Sequence, residues 1–217
     1  MTGVEQKAPE SEPFVLNGLE DYQINQRLIA EALQGRELTT QHLQAEGCWP
    51  AGQTGAMLTA HKQAELGAFI ETLQDLKLGA SLPDQNIDII INGYRLVGKL
   101  AHCYQNGSLL FRYTDLKAKD FMQAWLQHLL FNQLRPQDTH LLARDTHLFF
   151  SKTQEQSDYL GQLLDIYQQG QYRPSSFLLG PALAYVKQAK ALTSSRSKKP
   201  AIDVAREHLD KELSSGF

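Results

Sequence analysis

The chain opens on a polar, proline-containing run, MTGVEQKAPESEP, with no apolar periodicity that could pack. Residues 1–13 therefore read as a flexible lead-in. From Asp21 the pattern turns helical: Tyr22, Ile24, Leu28, Ile29, Ala32 and Leu33 recur at helical spacing, and Gly35 stops the segment. Thr39 is an N-cap residue for a second, short helix that runs to Glu46, before Gly47. CWPAGQTG (48–55) is punctuated by Pro50, Gly52 and Gly55 and predicts a loop. A long amphipathic helix should follow from Ala56 to about Leu76, with Leu58, Leu66, Phe69, Ile70 and Leu73 along one side.

The character changes at Leu82-Pro83. The stretch NIDIIINGYRLVGKLAHCYQNGSLLFRYT is rich in β-branched and aromatic residues and is divided by Asn92-Gly93 and Asn106-Gly107. Asn-Gly between apolar runs signals a hairpin, because both residues tolerate the positive φ of a type I′ turn. Three antiparallel strands in a meander are expected. DFMQAWLQHLLFNQL is a helix with apolar residues almost all round, hence one sandwiched in a core, with Phe121, Trp125 and Leu129 as a core stripe. THLLAR and THLFFS predict two further strands. Gln154 to Gln169 reads as a helix ended by Gly170, and Pro181 opens another. The sum is a mixed α/β layer architecture without repeats or heptads.

Composition changes this picture little. The 217 residues suit one good-sized domain, and a 42% hydrophobic fraction is enough for a core. A formal charge of −3 gives no global footprint for nucleic acid, so any such contact must be local. The best candidate is the stretch from Tyr185 to Ile202, with Lys187, Lys190, Arg196, Lys198 and Lys199 and no acidic residue; the bland reading is a solvated loop between helices. Cys48 and Cys103 stand in no metal or redox spacing and read as lone buried thiols of a reducing cytosol. There is no signal-peptide h-region and no run long enough to span a bilayer, so a cytoplasmic protein with no membrane partner is expected. No Walker loop is present.

FVLNGLEDYQINQRLI (14–29), LPDQNIDIIINGYRLVGKL (82–100) and LKAKDFMQAWLQHLLF (116–131) resemble the C-terminal domain of the RecC family, the gamma subunits of exodeoxyribonuclease V (the RecBCD complex). The opening GLEDYQINQ is the most specific piece, and the likeness runs from about residue 14 to 210. It implies one domain over 14–213. The implied fold is an α/β, PD-(D/E)xK nuclease-like core: an antiparallel β-meander plus further strands, flanked by helices and catalytically degenerate. It also implies RecB and RecD as partners, DNA handling in double-strand break repair by homologous recombination, and no cofactor. The likeness covers neither the family's large helicase-like part nor its Trp/Tyr-rich closing segment, so the chain corresponds to an excised domain or a truncated product.

The resemblance can be tested position by position. Active relatives of this fold look like G-x-h-D-R-h-D, then a strand ending h-D-Y-K-T, where h is apolar. The two carboxylates hold Mg²⁺ and the lysine sits beside the activated water. Laying Gly98 on the pattern's glycine puts Ala101 at the first carboxylate, Arg112 at the second and Thr114 at the lysine. Arg112 would place a cation where a dication must bind. The literal Asp115-Leu116-Lys117 lies three residues out of frame, which moves its side chains to the other strand face. It reads as a solvated strand-to-helix turn; a frame-shifted Mg²⁺ nuclease with Asp88 as second carboxylate is the alternative. Upstream, the pattern's histidine, four residues after a glycine, falls on Thr59. His61 comes about 200° around the helix from that face, and His61 with Glu65 reads as a surface pair. A stand-alone DNA-binding module using residues 187–199 is a third reading.

Overall fold

A computed structural model describes residues 17–47, 49–174, 178–193 and 199–214. The lead-in at 1–13, Cys48, Arg196 and Lys198 lie outside them. The chain divides into two compact units, residues 1–78 and 79–217.

In the first unit, α1 (Gly18–Leu33) begins three residues before the expected Asp21. The reason is a capping box: the Asn17 side chain accepts from the Glu20 N–H, and the Glu20 carboxylate accepts from the Asn17 N–H, each at 3.0 Å. Part of the GLEDYQINQ signature thus has a local physical cause. The short helix α2 (Thr40–Ala45) starts from the expected Thr39 cap. The third helix, α3 (Gly52–Asp75), begins inside the stretch expected to be a loop, so Gly52 and Gly55 form its first turn. Gly55 is required there, since a Cβ would stand 2.1 Å from the Pro50 carbonyl oxygen. Helices α1 and α3 bury Ile24, Leu28, Ile29, Leu66, Phe69 and Leu73. Lys62 of α3 is nearly buried and holds Asp21 of α1 at 2.6 Å and Glu65 at 3.1 Å. Burial pulls its ammonium down, but the hydrogen bonds to Asp21 and Glu65 outweigh it and leave the group above its ordinary range.

The second unit is mixed α/β. β1 (Gln85–Ile91) and β2 (Tyr94–Leu100) form the expected hairpin, with Asn92 and Gly93 at φ 49° and 82°. Ile87, Ile89, Ile91 and Leu96 face inward, while Asp88, Ile90, Arg95 and Val97 face out. The meander does not continue. Ala101-His102 breaks the ladder, with His102 in the left-handed region at φ 59°, and β1–β2 remains a sheet of its own. β3 (Cys103–Tyr104) and β4 (Gly107–Arg112) then pair around Gln105-Asn106, so Gly107 is a strand residue and not the turn glycine expected.

A crossover through α4 (Ala118–Leu134) leads to β5 (Thr139–Ala143), which lies parallel to β4, and β6 (His147–Phe150) closes the sheet antiparallel, in the order β3-β4-β5-β6. Helix α4 is sandwiched as its pattern implied. Leu129, Leu130 and Phe131 pack toward the β1–β2 hairpin, and fully buried His128 bonds Thr139 of β5 at 2.9 Å. Of the expected stripe, Leu129 is wholly buried. Half-buried Trp125 packs on Phe150 and Tyr159, and Phe121 is half-buried.

Helix α5 (Gln156–Tyr172) passes through Gly170. Arg173, forced extended by the proline that follows it, ends the helix. α6 (Leu179–Thr193) begins near Pro181, and α7 (Ala201–Ser214) packs against it. No described helix is long and apolar enough to cross a membrane.

Candidate functional site

The strand end where the sequence pattern lays Arg112 and Thr114 is built by β4, the turn after it and the first turn of α4. Arg112 is the last residue of β4, and its guanidinium forms an ion pair with Asp120, whose side chain is only 2% exposed. Asp120 is the third residue of α4, and its other oxygen accepts the backbone N–H of Lys117 at 2.8 Å. One buried carboxylate therefore caps the helix and receives the strand's arginine, stapling β4 to α4 across the turn. This partner was not foreseen from the sequence. Its signal was an acidic residue at the N3 position of a helix, three residues after Lys117.

Ala101 lies just past β2, where its carbonyl accepts from Gln127 Nε2 of α4 at 3.0 Å. Thr114 lies past β4 and makes a weak contact, 3.4 Å, to the Asp115 carbonyl. Asp115, of the literal motif, is exposed and receives Arg144 Nη2 from beyond β5 at 2.6 Å. Asp88 stands on the other sheet, where Arg95 bonds both its oxygens at 2.7 Å and holds its carboxyl below the usual range. Asp88 and Asp115 are thus each tied to an arginine of their own, on different sheets. Among the described residues no group of three or more His, Cys, Asp and Glu is placed to hold a metal.

In the first unit, Thr59 is a buried hydrogen-bond hub. Its hydroxyl donates to the Gly55 carbonyl at 2.9 Å and accepts from Trp49 Nε1 at 3.0 Å and Thr40 Oγ1 at 2.9 Å. His61 is exposed, and its neighbour Glu65 is engaged by Lys62.

Of the basic candidates, Lys187 and Lys190 are exposed on α6, and Lys187 stands 5.3 Å above the Phe121 ring. Lys199 forms an ion pair with Glu207 of α7. That helix carries Asp203, Glu207, Asp210 and Glu212 together with Arg206 and Lys211. Cys103 is a free, buried thiol that burial pushes above its ordinary range. An apolar cleft of about 480 Å³ lies between the inner side of β2 and helices α4 and α5, lined by Ile87, Leu96, Leu126, Leu130, Leu163 and Tyr167 among others.

The family described as RecC C-terminal domain matches residues 1–190. The chain belongs to the RecC C-terminal domain family. It is 28% identical over 187 residues to the RecBCD enzyme subunit RecC of Escherichia coli (strain K12), covering 82% of this chain and 16% of that protein. It is 24% identical over 123 residues to the RecBCD enzyme subunit RecC of Buchnera aphidicola subsp. Schizaphis graminum, covering 56% of this chain and 12% of that one. The chain thus spans less than a fifth of the RecC proteins it matches.

Proposed function

We propose that this is a non-catalytic, nuclease-like domain that serves a RecBCD-type helicase–nuclease as scaffold and docking surface for RecB- and RecD-type subunits during double-strand break repair in the cytoplasm. The observation that carries the reading is the Arg112–Asp120 pair. At the position where an active site would offer a carboxylate to Mg²⁺, the chain holds a guanidinium. The buried carboxylate beside it, Asp120, is already engaged twice. With a methyl at Ala101 and a hydroxyl at Thr114, these residues do not fit a dication that demands several oxygen ligands.

A PD-(D/E)xK-like core over residues 14–213 is supported by the order of elements: helices, antiparallel hairpins, then a parallel β4–α4–β5 crossover. The two sheets depart from the single meander of that pattern. The apolar cleft suits protein side chains better than phosphates. Contact with DNA is a minor role for Lys187, Lys190, Arg196, Lys198 and Lys199 in a chain of net charge −3, and Lys199 is already paired with Glu207.

The test has two arms on one preparation. Incubated with Mg²⁺ or Mn²⁺, the protein should leave single- and double-stranded DNA intact. Degradation that Asp115→Ala abolishes would establish the frame-shifted nuclease instead. On duplex DNA, three to five phosphate contacts imply a log–log salt slope of roughly −3 to −4.5, so DNA should wash off at raised salt while a RecD-type subunit is retained. The reverse order of release would make the chain a DNA-binding module.

A further inference from the structure

The β1–β2 sheet has only two strands, and β2 has an open side. Ile91 and Tyr94 flank the two-residue turn and so exchange hydrogen bonds with each other. The antiparallel alternation then points the N–H and C=O groups of Arg95, Val97 and Lys99 away from β1. Among the described residues no other main-chain partner meets these groups.

The apolar cleft runs beside them. Consecutive residues of β2 from Leu96 to Leu100 line it, so it opens onto the strand's edge as well as its inner face, and Leu126, Leu130, Leu163 and Tyr167 form the far wall. Val97, Leu126 and Tyr167 are large apolar side chains left exposed at its rim. Gly98 sits mid-strand in this lining, and a Cβ added there would meet no atom within 4 Å. A glycine weakens a strand interior, and such a position often marks the close approach of another backbone or ligand.

We propose that an extended segment of the docked subunit adds to the free edge of β2 as a third strand. Its apolar residues, at alternate positions, enter the cleft, and an acidic residue on the other face meets Lys99. This assignment rests on the proposed docking role and names the chemistry of what docks: main-chain hydrogen bonds supply affinity, and a cleft for alternate side chains supplies selectivity. The charges select the occupant. Arg95 is tied to Asp88, whereas Lys99 is exposed and has no ion pair among the described residues. A second copy of this chain is the wrong partner. Every two-fold pairing of two β2 edges through Arg95, Val97 and Lys99 sets cation against cation, directly or diagonally.

The probe is a fluorescein-labelled peptide, Ser-Leu-Glu-Leu-Thr-Leu-Glu-Leu-Ser, titrated into the 217-residue chain. Anisotropy should show saturable one-to-one binding. Amide exchange followed by NMR should slow at Arg95, Val97 and Lys99 and change little at Leu96 and Gly98, which already face β1. Gly98→Ile fills the cleft with a strand-favouring side chain and should abolish binding in a folded protein. Lys99→Glu should weaken it roughly tenfold at low salt, as attraction turns into repulsion. Should Gly98→Ile fail to fold, Val97→Pro removes one outward N–H and should give the same loss. No binding to the wild-type chain, equal binding by folded Gly98→Ile protein, or binding without slowed exchange at the three edge amides (the mark of a helical occupant) would overturn the proposal. So would a wild-type dimer that Gly98→Ile dissolves. A RecD-type subunit retained equally by wild type and Gly98→Ile would overturn it too, while leaving the docking role intact. Peptide bound by a wild-type chain that retains no subunit would sink the docking role and leave the strand-accepting edge standing.

Discussion

Two buried clusters, Thr59 in the first unit and Arg112–Asp120 in the second, contain the residues that the proposed reading lays on metal-site positions of the nuclease pattern, Thr59 and Arg112. They are filled by opposite means. Thr59 is neutral, and the donors that reach it, Trp49 Nε1 and Thr40 Oγ1, are uncharged. Asp120 is a carboxylate almost without solvent, and it depends on a cation supplied by the neighbouring strand. A neutral cluster degrades one bond at a time, each worth on the order of 1 kcal/mol net. A buried ion pair fails as a unit, because removing either partner strands the other charge. In the proposed reading both positions have become joints of the fold, one tolerant and one brittle.

The brittleness should be visible in urea melts. Arg112→Met leaves Asp120 with only the Lys117 N–H and should cost about 3 kcal/mol, at the low end for a buried pair because the Arg112 side chain is 29% exposed. Adding Asp120→Asn removes the stranded charge while keeping a cap acceptor, and should recover more than half of that loss. A single variant as stable as wild type would mean that the pair is no joint. Thr59→Val should cost less, about 1–2 kcal/mol, because Trp49 Nε1 keeps its 2.9 Å bond to the Gly55 carbonyl. Tryptophan fluorescence would report whether the indole stays buried. Smallest of all, Asp88→Asn and Asp115→Asn remove exposed ion pairs and should leave the melting temperature within error at moderate salt. A clear loss at Asp115 would give the literal Asp-Leu-Lys a role that its exposure does not suggest.

What could be read from the sequence followed how local each cause was. The Asn92-Gly93 hairpin was legible because a two-residue turn carries its own conformational requirement, which Asn92 and Gly93 meet. Asn106-Gly107 has the same letters but the turn sits one residue earlier, because Tyr104 also bridges to Ser81 and fixes the register from outside the hairpin. Gly170 did not stop its helix, since a glycine costs a helix only about 1 kcal/mol, whereas Pro174 dictates the backbone before it. Arg112 was recognised as a misfit for a metal site. Its partner was not, because Asp120 is reached only once the turn after β4 folds back onto the strand end. Nor does spacing reveal the Thr59 cluster, whose members come from a loop and two helices.

The parallel pairing of β4 with β5 has a consequence for synthesis. The β1–β2 hairpin closes around two residues and can zip within microseconds of leaving the ribosome, by the order of magnitude for hairpins. Ser108 must wait for Thr139, which emerges only after all of α4. During that interval the nascent chain carries Leu109, Leu110 and Phe111 on a strand whose eventual neighbour does not yet exist. An unpaired apolar edge of this kind invites a second nascent chain or a chaperone. Translation speed across α4 should therefore govern how much of this protein reaches its folded state.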